Sequence, residues 1–260
     1  MADIETLIKQ LNDSDNNIQS EASKALTALG LSAVAPLLEG LKTSNGRARM
    51  RMVSLLIGTG DEKVLPVLLS LINDSEQSVR HVLATSLGRF GKNPMTIEAL
   101  QKLAESDPVS GIRQAAAYTL EKQIQAPNML PLLIKQMNDA DVFVSMNAIE
   151  AIGKQGTEEA ITALLGALNT VSPNRSGVIV IALGKTRSPR AFEPILPFLK
   201  AEKPSVRAAT ATALGEIGNR QAVPYIQPLL KDTAIAYKGE YSGPDQTVAD
   251  VAQKALQSLS

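Results

Sequence analysis

The sequence predicts an all-α fold, a right-handed α–α superhelix of about eight antiparallel helix pairs in a single domain. The first observation is a motif close to Ala-Leu-Gly-x-x-Gly, which returns at intervals of 30 to 33 residues. The second is the helical spacing of apolar residues within the intervals, with no segment that alternates as strands do. A fixed period of this length indicates a solenoid, in which each repeat buries its apolar face only by stacking on its neighbours.

The last residue of the motif divides the chain into repeats. The seven motifs end at Gly30, Gly60, Gly91, Ile124, Gly156, Arg187 and Gly218. An eighth, irregular unit follows the last of them. The predicted repeats therefore span approximately residues 1–30, 31–60, 61–91, 92–124, 125–156, 157–187, 188–218 and 219–260.

Each repeat contains two predicted helices, and the second helix ends at the motif. In the seventh repeat, residues 191–200 carry apolar side chains at helical spacing and form the first helix. Its second helix has one apolar stripe, made of Val206, Ala209, Ala213, Leu214 and Ile217. The glycine that follows the stripe suits the left-handed residue with which helices commonly end. Pro36, Pro66 and Pro224 lie near the starts of first helices, where a missing N–H is tolerated.

The eighth repeat has a long connection between its two helices, residues 232–247, which contains Tyr237 and Tyr241. Insertions in solenoids lie in loops on one face, which is often the binding face. A surface loop on an end repeat is the other interpretation, because lengthening a loop costs little free energy. Both interpretations stay open from the sequence alone.

Two further columns of residues repeat with the motif. An aspartate in the turn between the two helices is followed six residues later by an arginine, as in Asp74 and Arg80 and again in Asp107 and Arg113. The pattern Asp-x5-Arg-x3-Ala…Leu-Gly-x-x-Gly resembles the HEAT repeat, specifically the HEAT-like type named after phycobilisome lyases. This resemblance implies that the aspartate and arginine side chains form a ladder of hydrogen bonds between repeats.

This resemblance covers the whole chain and implies three classes of function. The first is a non-catalytic scaffold that binds another protein on its concave layer of second helices. The alternative is a bilin lyase subunit or a phycobilisome-associated factor that acts on phycobiliproteins, as in cyanobacterial members of the family. A further alternative is an accessory protein for iron–sulfur carrier proteins. HEAT-like DNA-repair glycosylases need a strongly basic face, and the zero net charge speaks against that class.

Composition excludes several other chemistries. Lys and Arg total 26 and Asp and Glu total 26, which argues against nucleic acid as a partner. There is no cysteine and only one histidine, His81, so we predict no catalytic, metal-binding or cofactor-binding residues. We also expect no membrane span and no signal peptide, and hence a cytoplasmic protein.

The arginine column lapses in the fifth and sixth repeats, where Ser145 and Ser176 take its place beside Met146 and Gly177. Basic residues outnumber acidic ones between residues 161 and 231, and Arg175 and Arg207 belong to this stretch. A small, partly apolar floor beside cations suits an acidic segment of another protein. We therefore predict a partner-binding surface at Ser145, Met146, Ser176, Gly177, Arg175 and Arg207, with the loop of Tyr237 and Tyr241 as a second candidate.

Overall fold

The all-α repeat fold is confirmed by a computed structural model of the chain. The structure describes residues 3–42, 45–168, 170, 173–239 and 244–260, of which residues 173 and 174 are described by backbone only. Two compact units divide the chain, Met1–Leu132 and Leu133–Ser260. Each unit consists of helix pairs in the order that the motif predicts.

The helices of the first unit begin and end close to the predicted repeat boundaries. They are α1 (Ile4–Gln10), α2 (Asn16–Leu29), α3 (Val34–Leu41), α4 (Gly46–Thr59), α5 (Leu65–Ser70), α6 (Gln77–Ser86), α7 (Pro94–Ser106) and α8 (Ser110–Tyr118). The ninth helix, α9 (Leu130–Met137), crosses the division in the sequence. The second unit continues with α10 (Val142–Gln155), α11 (Glu158–Ala167), α12 (Pro173–Thr186), α13 (Phe192–Ile195), α14 (Pro204–Ile217), α15 (Val223–Ile226) and α16 (Val248–Ser258). Short 3-10 turns extend several first helices, for example Leu196–Lys200 after α13.

Second helices pack against one another in series within each unit. In the first unit α2, α4, α6 and α8 form one layer, and in the second unit α10, α12, α14 and α16 do so. The core lies between this layer and the first helices, where Leu26, Leu56 and Leu83 are almost completely buried. Full burial of such a side chain contributes about 1.5–3 kcal/mol, so the stability of each repeat comes from its neighbours.

Glycine permits the close approach of second helices in the second unit. The Leu-Gly step of the motif places Gly153, Gly184 and Gly215 against the next second helix. A Cβ added at Gly184 would lie 2.6 Å from the Cα of Ala213, and one at Gly153 would lie 2.9 Å from the Cβ of Ala182. The first glycine of the motif is thus a packing residue.

The final glycine of the motif ends the helix in a left-handed conformation, as the sequence predicts. Gly60, Gly156 and Gly218 have φ values of 71°, 61° and 76°. After the fourth motif the residue with positive φ is Gln125, at 52°, one position beyond Ile124. A π-helical turn over Thr119–Ile124 inserts one residue before the helix ends, which moves the boundary.

The long connection of the eighth repeat forms a short antiparallel ribbon, which the sequence did not predict. Strand β1 (Ile235–Tyr237) pairs with β2 (Gln246–Thr247), and β1 packs on α14. The Asp232 backbone oxygen accepts a hydrogen bond from the Ala249 amide at 2.9 Å, which ties the base of the ribbon to α16. The connection is therefore an ordered element on the second-helix layer at positions 232–239 and 244–247. Tyr241 lies outside the described residues.

One helical stretch, Asn16–Leu41, is long and apolar enough by length and mean hydropathy to span a membrane, contrary to our expectation. Gly30, with φ of 54°, divides this stretch into α2 and α3. Ala22, Leu26 and Leu37 occupy the buried positions that other repeats also fill with apolar residues. We therefore assign the stretch to the first two repeats of the stack.

Candidate functional site

The expected hydrogen-bond ladder is present, and its geometry is regular. Arg49, Arg80 and Arg207 each form an ion pair with the aspartate in the turn of the following repeat. The Arg49 Nη2 and Asp74 Oδ1 atoms are 2.8 Å apart, and Nε of Arg80 lies 2.7 Å from Oδ2 of Asp107. Arg207 makes the same contact with Asp232 at 2.7 Å.

A second bond links the ladder residue to its own turn. Nη1 of Arg80 donates to the Asp74 backbone oxygen six residues earlier, at 2.7 Å. Arg113 bonds the Asp107 oxygen and Arg207 the Ala201 oxygen in the same way, both at 2.8 Å. One guanidinium group thereby fastens two successive turns, which fixes the register of the stack.

The ladder lowers the pKa of two aspartates, Asp74 and Asp232. For Asp74, burial alone would raise the pKa, but hydrogen bonds from the Arg49 side chain and the Glu76 amide outweigh it and lower the pKa. For Asp232, the hydrogen bond from Arg207 is the main cause of a lowered pKa. These carboxylates are thus held in their ionised form by structural contacts.

The two serines that interrupt the arginine column do not form a surface. Ser145 is completely buried, and its hydroxyl donates to the Met137 backbone oxygen at 2.6 Å. Ser176 is buried as well. The expectation that these side chains form an accessible floor is wrong, because a short hydroxyl bonds within its own repeat and the helices close over it.

The two arginines assigned to this surface are engaged within the fold. Arg175 donates from Nη2 to the Asp139 backbone oxygen at 2.6 Å, which is the oxygen that an arginine at position 145 would reach. It therefore replaces, from the next repeat, the ladder contact that Ser145 cannot make. Arg207 is a ladder residue, as described above. Neither guanidinium is the free cation that the sequence interpretation required.

Gly177 and Met146 have different surroundings. A Cβ at Gly177 would lie 3.4 Å from a methyl group of Val206, so this glycine faces the next second helix. Met146 is 39% exposed on the solvent side of α10. Of the proposed floor, Met146 is the residue that the structure leaves accessible.

An exposed apolar cluster surrounds this methionine. Val142, Phe143 and Met146 lie in the first turns of α10 and are 54%, 71% and 39% exposed; we call them the α10 patch. Phe143 and Met146 are three residues apart and share one helix face. Phe143 was not among the predicted site residues. An aromatic residue close to a ladder position, in a chain with only 3% aromatics, could have indicated a binding surface there.

A cleft of about 560 Å³ lies at the C-terminal end of the second-helix layer, between α14, α16 and β1. Tyr237 forms one wall, so the second candidate loop contributes to a concave site. Arg187 and Lys254 line the cleft with Glu216, whose Oε2 atom is buried and has no hydrogen-bond partner among the described residues. Burial raises the pKa of Glu216, despite the opposing charges of Lys185 and Arg187. Arg187 appeared in the sequence as a departure from the motif glycine, but this did not indicate a cleft.

The described residues contain no group of three or more His, Cys, Asp or Glu side chains placed to hold a metal ion. His81 is exposed on α6. The surfaces identified above are accordingly the α10 patch and the C-terminal cleft.

The family model for HEAT repeats matches residues 34–121, 112–179 and 172–237, which is more than half of the chain. No curated protein sequence matches the chain at a significant level.

Solved structures are similar to this chain at low sequence identity. YibA from Escherichia coli is 19% identical with a TM-score of 0.59, and the match covers 99% of this chain and 92% of YibA. The complex of CpcE and CpcF of phycocyanin lyase from Nostoc is 19% identical, with a TM-score of 0.43 and coverage of 100% and 95%. Computationally designed armadillo repeat proteins for modular peptide recognition are 18% identical, with a TM-score of 0.38 and coverage of 99% and 100%. The similarity to YibA concerns the fold alone, because the identity is only 19%. The family match, by contrast, covers the same residues in which the helix pairs repeat. The chain belongs to the HEAT-repeat family.

Proposed function

We propose that this chain is a non-catalytic scaffold that binds another protein through the α10 patch. The HEAT-repeat fold is typical of protein-interaction scaffolds, and the 71% exposure of Phe143 is the observation that carries the proposal. Aromatic residues and methionine are enriched at protein interfaces, where an anchor of this size supplies much of the binding free energy.

The neighbourhood of the patch favours an apolar contact. At the start of α10, the Asp141 carboxylate accepts hydrogen bonds from the Phe143 and Val144 amides, at 2.9 and 3.1 Å, and so caps the helix. Further along the helix, Glu150 forms ion pairs with Lys154 at 3.0 Å and with Lys185 at 3.8 Å. Acidic groups on the partner would instead pair with Arg187 and Lys254 of the cleft.

The experiment compares exposed apolar positions on the two helix layers, with Met146 and Ile134 matched at 39% and 36% exposure. Phe143→Glu and Met146→Glu place a charge in the patch, while Ile134→Glu places one on the first helix α9, where Ile134 is 36% exposed. Affinity capture from the source organism with mass spectrometry identifies partners, and calorimetry measures the affinity of each variant for them. We expect Phe143→Glu to weaken binding at least tenfold and Ile134→Glu to leave it unchanged.

The outcome also separates the functional classes that the repeat pattern leaves open. Recovery of phycobiliprotein subunits would favour a phycobilisome-associated factor or a bilin lyase subunit, and recovery of iron–sulfur assembly proteins would favour an accessory protein for iron–sulfur carriers. If all three variants retain full affinity and native thermal melts, the patch is not the binding surface.

A further inference from the structure

The C-terminal cleft combines room, apolar wall and positive charge. Its volume of about 560 Å³ lies in the range of sites that hold small ligands or a few peptide residues. Val251 and Ala255 of α16 and the ring of Tyr237 supply apolar wall. The cleft therefore has room and apolar surface for a side chain from another molecule.

Two cations line the cleft without acceptors. The side chains of Arg187 and Lys254 form no hydrogen bond or ion pair with any residue that the structure describes. By contrast, Arg49, Arg80 and Arg207 are each paired with a ladder aspartate. Cations that line a partly apolar cleft without partners are suited to a carboxylate on a ligand.

The backbone at Arg187 supports a role for its side chain. Its φ is +55°, at the motif position where Gly30, Gly60, Gly156 and Gly218 also have positive φ. A non-glycine residue in this conformation is strained, because its Cβ crowds the backbone. The Arg187 backbone therefore adopts a conformation that glycine would adopt more readily, and it places the guanidinium at the cleft. Backbone strain of this kind concentrates at ligand sites.

We propose that the C-terminal cleft binds a short peptide segment of a protein partner, in which an acidic side chain pairs with Arg187 and Lys254 and an adjacent apolar side chain packs against Tyr237 and Val251. The proposal shares with the proposed function only the premise that the ligand is a protein. It uses none of the α10 patch, so the two surfaces are separable by mutation.

The probes are two pools of acetylated, amidated pentapeptides that differ at one position. One pool has Asp at the centre with Leu, Ile, Val or Phe at the flanking positions, and the other has Asn at the centre. Octanoate, a free carboxylate with an apolar chain, is the third probe. Binding to the full chain is followed by ¹H–¹⁵N NMR at the amides of Gly215, Tyr237 and Lys254.

We expect the Asp pool to shift these amides and the Asn pool to bind at least tenfold more weakly. Arg187→Gly should reduce the affinity for the Asp pool at least tenfold without loss of folding, because glycine suits the backbone there. Lys200→Ala, an exposed cation outside the cleft, and Phe143→Glu should both bind as the unaltered chain does.

Three results would overturn the proposal. The first is equal binding of the Asp and Asn pools, and the second is full affinity in folded Arg187→Gly. The third is binding of octanoate without binding of the Asp pool, which would assign the cleft to small carboxylates. Loss of partner capture in Phe143→Glu with pool binding intact would concern the α10 patch alone.

Discussion

Replacing Gly184 with alanine tests the close packing of second helices directly. The added methyl group would lie 2.6 Å from the Ala213 Cα, 2.7 Å from its Cβ and 2.9 Å from the Glu216 Oε2 atom. The two shorter distances are to the Cα and Cβ atoms of Ala213 in α14. Because these atoms cannot move without the helix, α12 and α14 must separate. Overpacking of this kind costs typically 1–3 kcal/mol, and here we take the upper value of about 3 kcal/mol because a backbone atom is involved.

The substitution also has a favourable component. Alanine is more stable than glycine inside a helix by about 1 kcal/mol, which leaves a predicted net loss of about 2 kcal/mol in the free energy of unfolding. Gly166→Ala is the matched control, since Gly166 lies in α11 with no atom within 4 Å of the added Cβ. It should raise the free energy of unfolding by about 0.5–1 kcal/mol.

Urea unfolding followed by far-UV circular dichroism measures both variants, with the m-value checked for a change in cooperativity. We expect the two variants to differ by about 3 kcal/mol, with opposite signs relative to the unaltered chain. A Gly184→Ala chain as stable as Gly166→Ala would refute the conclusion that this glycine is required for helix contact.

Two further predictions concern titration. Asp232→Asn should cost about 1–2 kcal/mol at pH 7 through the lost charge-assisted bond. Because the pKa of Asp232 is lowered in the fold, this contribution is present above about pH 4 and is lost as the pH falls through the lowered value, so the two chains should converge at low pH. If the urea midpoints of the Asp232→Asn chain and the unaltered chain differ equally at pH 7 and at low pH, this prediction is contradicted. Glu216→Gln should raise Tm at pH 7 and leave it unchanged near pH 3.5, because a raised carboxyl pKa reduces stability only as the pH rises above the unfolded value of about 4.3. A lower Tm for the glutamine variant at pH 7, with no difference near pH 3.5, would show that the ionised group is stabilising.

The repeat period predicted most of the fold, since it follows from local rules. Helical apolar spacing and a glycine stop are properties of a few adjacent residues, and Gly60, Gly156 and Gly218 have the positive φ expected of such a stop. After the fourth motif the positive φ falls on Gln125, because a π-helical turn adds one residue without any change in the apolar pattern. The β1–β2 ribbon was missed because its strands have three and two residues, too few for an alternation to be recognised.

The candidate surface was harder to predict because exposure depends on several helices at once. Ser145 occupies the ladder position and is fully buried, whereas Arg80 there is buried and Arg49, Arg113 and Arg207 are half-buried. Its neighbour Met146 is one helical step of about 100° away and faces solvent. The arginine column, in which serine appears at position 145, is therefore not itself the exposed surface. The exposed surface lies beside it, at Met146.

Arg175 shows why a lapse in a repeat pattern is first a question of packing. When serine replaces the ladder arginine at position 145, the Asp139 backbone oxygen loses the donor that Asp74 and Asp107 receive from their own repeats. An unsatisfied backbone oxygen of this kind costs about 1–3 kcal/mol when buried, and Arg175 of the next repeat supplies the missing donor. The substitution is thus compensated within the stack and leaves no cation for a partner. Arg187 is the opposite case, because its side chain has a strained backbone and no acceptor in the described part of the fold. A change in the repeat pattern that another residue of the fold compensates, as Arg175 does for Ser145, affects stability only. At Arg187 the fold supplies no such compensation, and we propose that a ligand supplies the acceptor there.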